Sequence, residues 1–125
     1  MKMNNDVGIF IKQKRIQKHI SLRSLSREIG ISAEYLSKIE NGFRAAPNEE
    51  VLVKIATKLL LSPEEKEKLY DLAADSKPYL SLASDLLLYI KQNKSIHKAL
   101  RLAKRCGADE EDWQNFIEFL SKKYL

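Results

Sequence analysis

The sequence predicts an all-α protein, with five helices packed in residues 1–75 and a three-helix extension over 76–125. Three observations support this. Apolar residues recur at spacings of three and four through most of the chain; no segment alternates apolar and polar residues as a strand would; and residues able to cap a helix stand just ahead of several periodic runs. At 125 residues the chain can bury one sizeable core, or a small domain with an appendage, and is short for a two-domain enzyme.

The first helix is expected from about Asp6 to His19, offering Val7, Ile9, Phe10, Ile16 and Ile20 to a core, with Lys12, Lys14, Arg15 and Lys18 as a basic flank. Ser21 can cap a second helix in which Leu22, Leu25 and Ile29 share one face and Arg23, Ser24, Arg27 and Glu28 stay outside. Gly30 supplies the permissive backbone of a tight turn. Ser32 caps a third helix, which buries Tyr35, Leu36 and Ile39, leaves Ala33, Glu34, Ser37, Lys38 and Asn41 on the surface, and ends at Gly42. Such a helix, packed by its apolar stripe and presenting short polar side chains from its N-terminal half, is one that a DNA major groove can admit. Capped helix pairs joined by glycine also occur in many domains that never meet DNA.

Asn48 can cap a fourth helix from about Glu49 to Leu60, closing Val51, Leu52, Ile55, Ala56 and Leu59 over the pair. Ser62-Pro63-Glu64-Glu65 then opens a fifth helix that turns Leu69, Leu72 and Ala73 inward. A break is expected at about Ala74 to Ser81, where Asp75, Ser76, Lys77 and Pro78 interrupt helix. Beyond it lie helices at about Leu82 to Gln92, Ser95 to Cys106 and Glu110 to Tyr124. The first is apolar over more of its circumference than a surface helix needs, and the last carries Trp113, Phe116, Ile117, Leu120 and Tyr124 as an aromatic stripe that something must cover. Leu82, Leu86, Tyr89, Ile90, Trp113 and Phe116 are therefore the expected dimer or partner interface. Packing is the ordinary fate of such stripes.

Formal net charge is +5. It is unevenly spread: residues 1–44 carry nine Lys/Arg against four Asp/Glu, whereas 45–75 carry four against seven. A positive field on the helix pair favours a polyanionic partner through counterion release. One cysteine, Cys106, excludes an intrachain disulfide and is expected to be half-buried in its helix. His19 and His97 have no ligand-spaced companions, so no metal site and no cofactor are expected. The N-terminal MKMNNDVGIF lacks the apolar core of a secretory signal, and no run approaches the roughly 20 apolar residues of a membrane span, so a cytoplasmic protein without a membrane partner is expected. Nor is an enzyme expected. The chain has no glycine-rich phosphate loop, no clustered His/Cys/Asp set and no nucleophile elbow, and Glu64, Glu65 and Glu67 at a helix start answer the helix dipole.

Residues from about Ile9 to Leu72 resemble the XRE (Cro/C1-type) helix-turn-helix family of phage and bacterial regulators. The likeness is carried by LxxLSxxxGIS, by YLSxIENG and by a Pro-led helix containing Lys54-Ile55-Ala56. It implies the five-helix lambda-repressor-like fold and binding to double-stranded DNA. By the same resemblance Ala33, Glu34, Ser37 and Lys38 take base-facing positions, with Lys38 reaching guanine acceptors and Glu34 accepting from a cytosine amino group or excluding wrong bases. Arg23, Tyr35, Asn41 and Arg44 are expected near phosphates, and Arg15 and Glu40 match a structural ion pair of the family. The chain departs from the family pattern at Leu22, where many members place a phosphate-binding glutamine, and in the loop Phe43 to Asn48, which is one residue longer than the commonest version. The resemblance implies an autoregulating repressor of phage or mobile-element type, a homodimer on a pseudo-palindrome. The alternative is an antitoxin whose C-terminal helices hold a toxin while the same helix pair represses their shared promoter.

Overall fold

A computed structural model of the chain describes residues 5–77 and 81–125. Among these the order is α1 (Asp6–Gln17), α2 (Leu22–Ile29), α3 (Ala33–Glu40), α4 (Glu49–Lys58), α5 (Pro63–Asp75), α6 (Ser84–Gln92), α7 (Lys94–Cys106) and α8 (Glu110–Tyr124), with no strand.

Local chemistry sets the starts. Ser21 Oγ accepts the Ser24 N–H at 3.0 Å, Ser32 Oγ the Tyr35 N–H at 3.0 Å, and Asn48 Oδ1 the Val51 N–H at 3.0 Å. At α5, Ser62 and Glu65 cap each other reciprocally with proline in the first turn. Each such cap is worth about 1 kcal/mol. Between α2 and α3 the chain reverses at Gly30, whose φ of 78° a side chain would oppose, and the Ile31 N–H closes back on Ser26 O at 3.0 Å. Two helices end sooner than their apolar pattern suggested. His19 (φ 57°) and Leu60 (φ 52°) are left-handed, so α1 stops at Gln17 and α4 at Lys58. The wrapping bonds are Ile20 N–H to Arg15 O and Leu61 N–H to Ala56 O, each 3.1 Å.

Two compact units result, Met1–Leu87 and Leu88–Leu125. In the first, α1 packs on α3 and α5, α2 on α3 and α4, and α4 on α5. Ile11, Leu25, Ile29, Leu36, Ile39, Ile55, Leu59 and Leu69 are fully buried at its centre. The expected core face of α1 needs correction. Ile9 and Ile16 are exposed, whereas Ile11 is completely buried, because Val7, Phe10 and Ile11 form the i, i+3, i+4 row that meets α3 and α5 and the other two isoleucines lie opposite. Ala83, 4% exposed, and the start of α6 belong to this unit, which therefore runs past residue 75. Lys77 helps carry the chain there by donating to Ala46 O at 3.0 Å. Pro78, expected to help interrupt helix, lies outside the described residues.

The second unit is built differently. No residue of α7 or α8 is buried. Gly107 (φ 71°) ends α7, and Asp109 and Asp112 form a reciprocal cap at the start of α8. Cys106 is exposed rather than half-buried, since no element of this unit packs over the end of α7.

Candidate nucleic-acid interface

The outward helix α3 is held from three sides. Leu36 and Ile39 anchor it in the core, and Tyr35 lies half-buried against the same cluster. At its C-terminal end Glu40 is buried and faces Arg15 of α1. Arg15 Nε donates to one carboxylate oxygen at 2.8 Å and Nη2 to the other at 2.9 Å, while Nη1 donates to Ile20 O at 3.0 Å. This two-pronged contact raises the Arg15 pKa above its ordinary value, against the opposing effect of partial burial. Gly8 is the third device. A Cβ there would stand 3.0 Å from Glu40 O and 2.5 Å from Asn5 Oδ1, so its absence lets the α1 backbone press onto the end of α3. Asn5 Nδ2 adds a hydrogen bond to Glu40 O at 3.3 Å. The family resemblance supplied the Arg15–Glu40 contact; Gly8 went unassigned, although a glycine inside a helical pattern is itself a cue to close approach.

From this mounting Glu34 projects fully exposed, with Ala33, Ser37 and Lys38 partly exposed beside it. Their polar atoms are satisfied along the helix itself. Lys38 Nζ lies 3.1 Å from Glu34 Oε1, and Asn41 Nδ2 donates to Ser37 O at 2.9 Å and to Ser37 Oγ at 3.3 Å. Both pairs are solvent-exposed and weak, so exchange for base or phosphate partners costs little. The next loop is tied to the same helix: the amides of Phe43 and Arg44 donate to Lys38 O at 2.8 and 3.2 Å. Arg44 is exposed there, beside Phe43, which sequence reasoning did not single out and which is 77% exposed. Arg23 is exposed in the first turn of α2. Leu22, where the family commonly has glutamine, packs half-buried against the core. The geometry thus gathers Ala33, Glu34, Ser37, Lys38 and Asn41 on one helix with Arg44 on its adjoining loop.

Of the expected interface residues, Leu82 and Leu86 fall in the first unit and Tyr89, Ile90, Trp113 and Phe116 in the second; all but the half-buried Ile90 are exposed. On α8 the rings follow one another at 6.4 Å, Trp113 edge-on to Phe116 and Phe116 stacked on Phe119. Among the described residues no group of three His, Cys, Asp or Glu gathers as metal ligands, and no helix is long and apolar enough to cross a membrane.

Residues 11–66 match the family described as helix-turn-helix. An uncharacterized HTH-type transcriptional regulator of Mycobacterium tuberculosis, found in two strains, is 42% identical over 57 residues, which are 46% of this chain and 40% of that protein. The ImmF control region 10 kDa protein of Bacillus phage phi105 is 42% identical over 50 residues, 40% of this chain and 54% of the phage protein. The chain thus aligns with about half or less of the curated relatives it matches. The SinR protein/SinI protein complex is similar at 23% identity and a TM-score of 0.49, over 94% of this chain and 96% of that one.

Proposed function

Residues 11–66 form a helix-turn-helix domain of the XRE family, and from that premise we propose that the chain is a sequence-specific DNA-binding transcriptional regulator, a repressor that acts as a homodimer on a pseudo-palindromic operator. The observation that carries this reading is the mounting of α3: an outward polar face on a helix fixed by the core, by the Arg15–Glu40 contact and by the close approach at Gly8. A rigid helix with short polar side chains reads base edges in the major groove. Lys38 donates to guanine O6 and N7, Glu34 accepts from cytosine N4, Ser37 and Ala33 line the same groove, and Arg23, Tyr35, Asn41 and Arg44 meet phosphates. Repression is then steric, by occupation of promoter DNA.

Two copies are required because one short helix reads few base pairs; symmetry doubles the contacts and sets half-sites about one helical turn apart. The uncovered faces of α6 and of α8 supply the interface, since Leu86, Tyr89, Trp113 and Phe116 are each exposed apolar or aromatic side chains that water disfavours. The same faces favour a second reading, an antitoxin that covers them with a toxin. Its signature is stoichiometric co-purification with a small neighbouring-gene product. Selection of bound duplexes from a random pool at about 150 mM salt tests the main reading. An inverted repeat is expected, and loss of about 1–3 kcal/mol at one position is expected for Lys38→Ala; no enrichment by the folded protein overturns it.

A further inference from the structure

Helix α7, Lys94–Cys106, contains Lys94, His97, Lys98, Arg101, Lys104 and Arg105 and no carboxylate. Its cations are ordered. Lys94, Lys98, Arg101 and Arg105 are separated by four, three and four residues, so at 3.6 residues per turn they fall in an arc of about 60° and run for about 16 Å along the helix. Ile96, Ala99, Leu100 and Ala103, related by steps of three and four residues, lie on the opposite side. All four cations are exposed, and none lies within ion-pairing distance of a described carboxylate.

That arrangement is costly for a helix that stands alone. Like charges at i, i+3 and i+4 each destabilise it by a few tenths of a kcal/mol, where alternating Glu and Lys would have stabilised it, and a 13-residue helix is marginal in water to begin with. A solvated face gains nothing from a pure cationic row. A phosphate backbone does, because successive phosphates of a DNA strand present one negative charge per about 3.4 Å of axis and release counterions to each cation that approaches.

We infer that the row Lys94, Lys98, Arg101 and Arg105 is a second DNA contact, gripping duplex phosphates without regard to sequence, separate from the base-reading face of α3. This rests on the DNA-binding reading above. It is compatible with the dimer proposed there, whose interface residues lie on α6 and α8 and include none of these four cations. It also favours nucleic acid over an anionic membrane. Interfacial binding scales with the apolar area inserted, and Ile96, Ala99, Leu100 and Ala103, two alanines and two aliphatic residues, make a small insertion face.

The test uses the full chain with all four residues changed to glutamine (K94Q, K98Q, R101Q and R105Q), beside a charge-conserving variant, R101K with R105K. Affinity for a random-sequence 30-base-pair duplex and for the selected operator is measured across salt concentrations. For the glutamine variant the slope of log K against log salt is expected to become shallower by about 3.6 for each bound chain, since each of the four phosphate contacts contributes about 0.9. Its ranking of operator variants should stay unchanged, and the charge-conserving variant should keep the original slope. Circular dichroism and sedimentation identical to the parent are expected, because these exposed side chains pack against nothing. An unchanged slope overturns the inference while leaving the α3 reading intact. So does a parent chain that binds phosphatidylserine vesicles through the row but gives duplexes the same slope with and without it. A folded parent that binds no duplex at all overturns both.

Discussion

Replacing Glu40 by leucine while keeping Arg15 tests what holds the outward helix in place. Only 2% of the Glu40 side chain and 12% of the Arg15 side chain reach solvent, and the guanidinium donates from two of its nitrogens to the carboxylate and from the third to Ile20 O. Removing the carboxylate alone strands a buried cation, a loss of about 3–5 kcal/mol. A unit the size of Met1–Leu87 has a total stability of about 4–13 kcal/mol at ordinary per-residue values, so Glu40→Leu takes at least about a fifth of it. At about 4–8 °C per kcal/mol the midpoint falls by at least about 12 °C.

Arg15→Met on top of Glu40→Leu should recover most of that loss. No charge is then stranded, and the remaining deficit is one unsatisfied carbonyl at Ile20, about 1–3 kcal/mol, set against better apolar packing. Calorimetric melting of the parent, both single variants and the double variant closes the cycle, with an expected coupling of at least about 2 kcal/mol. The reasoning is refuted if Glu40→Leu costs under about 1 kcal/mol, or if the double variant is as unstable as the two single losses added together.

Three further predictions concern the same unit. Gly8→Ala places a methyl against Glu40 O and Asn5; overpacking of about 1–3 kcal/mol outweighs the gain of about 1 kcal/mol in helix propensity, so a melting midpoint at or above that of the parent contradicts the close approach. Leu60→Gly acts in the opposite sense. Leu60 is left-handed and 76% exposed, so relief of about 1–2 kcal/mol against a glycine entropy cost of about 0.5–1 kcal/mol should leave the midpoint a few degrees higher, and a lower midpoint counts against strain there. Glu65 pairs with Lys14 and accepts the Ser62 N–H at 2.9 Å; Lys14 first and Ser62 next lower its pKa from 4.5 to about 2. Because the folded value lies below the unfolded one, its contribution is fully present above about pH 4.5 and is lost as pH falls toward 2. Urea midpoints of Glu65→Gln should therefore depend less on pH across that window than those of the parent, and parallel curves would exclude the role.

How far each element could be read from the chain follows from the range of the interaction that decides it. The starts of α2, α3, α4 and α5 were legible because Ser21, Ser32, Asn48 and Ser62 act on amides three residues away. The face of α1 was not, since Val7, Ile9, Phe10, Ile11 and Ile16 are apolar on nearly every side, and only the positions of α3 and α5 decide that Ile11 turns inward and Ile9 and Ile16 outward. Arg15 and Glu40 stand 25 residues apart, a separation at which no local rule operates; the family pattern made the pair visible, while the short polar row on α3 could be read from spacing. Gly8 shows the limit of composition most directly, because its role lies in what is missing between two backbones. For α7 and α8 periodicity correctly gave the helices, yet their apolar faces lie uncovered within the second unit, with Trp113, Phe116 and Phe119 all exposed. Periodicity records that such a face is apolar and carries no information on the surface that covers it. The cationic row of α7 differs in this respect: its spacing and the lack of any carboxylate on the helix are local and legible, and they are what the proposed phosphate contact rests on.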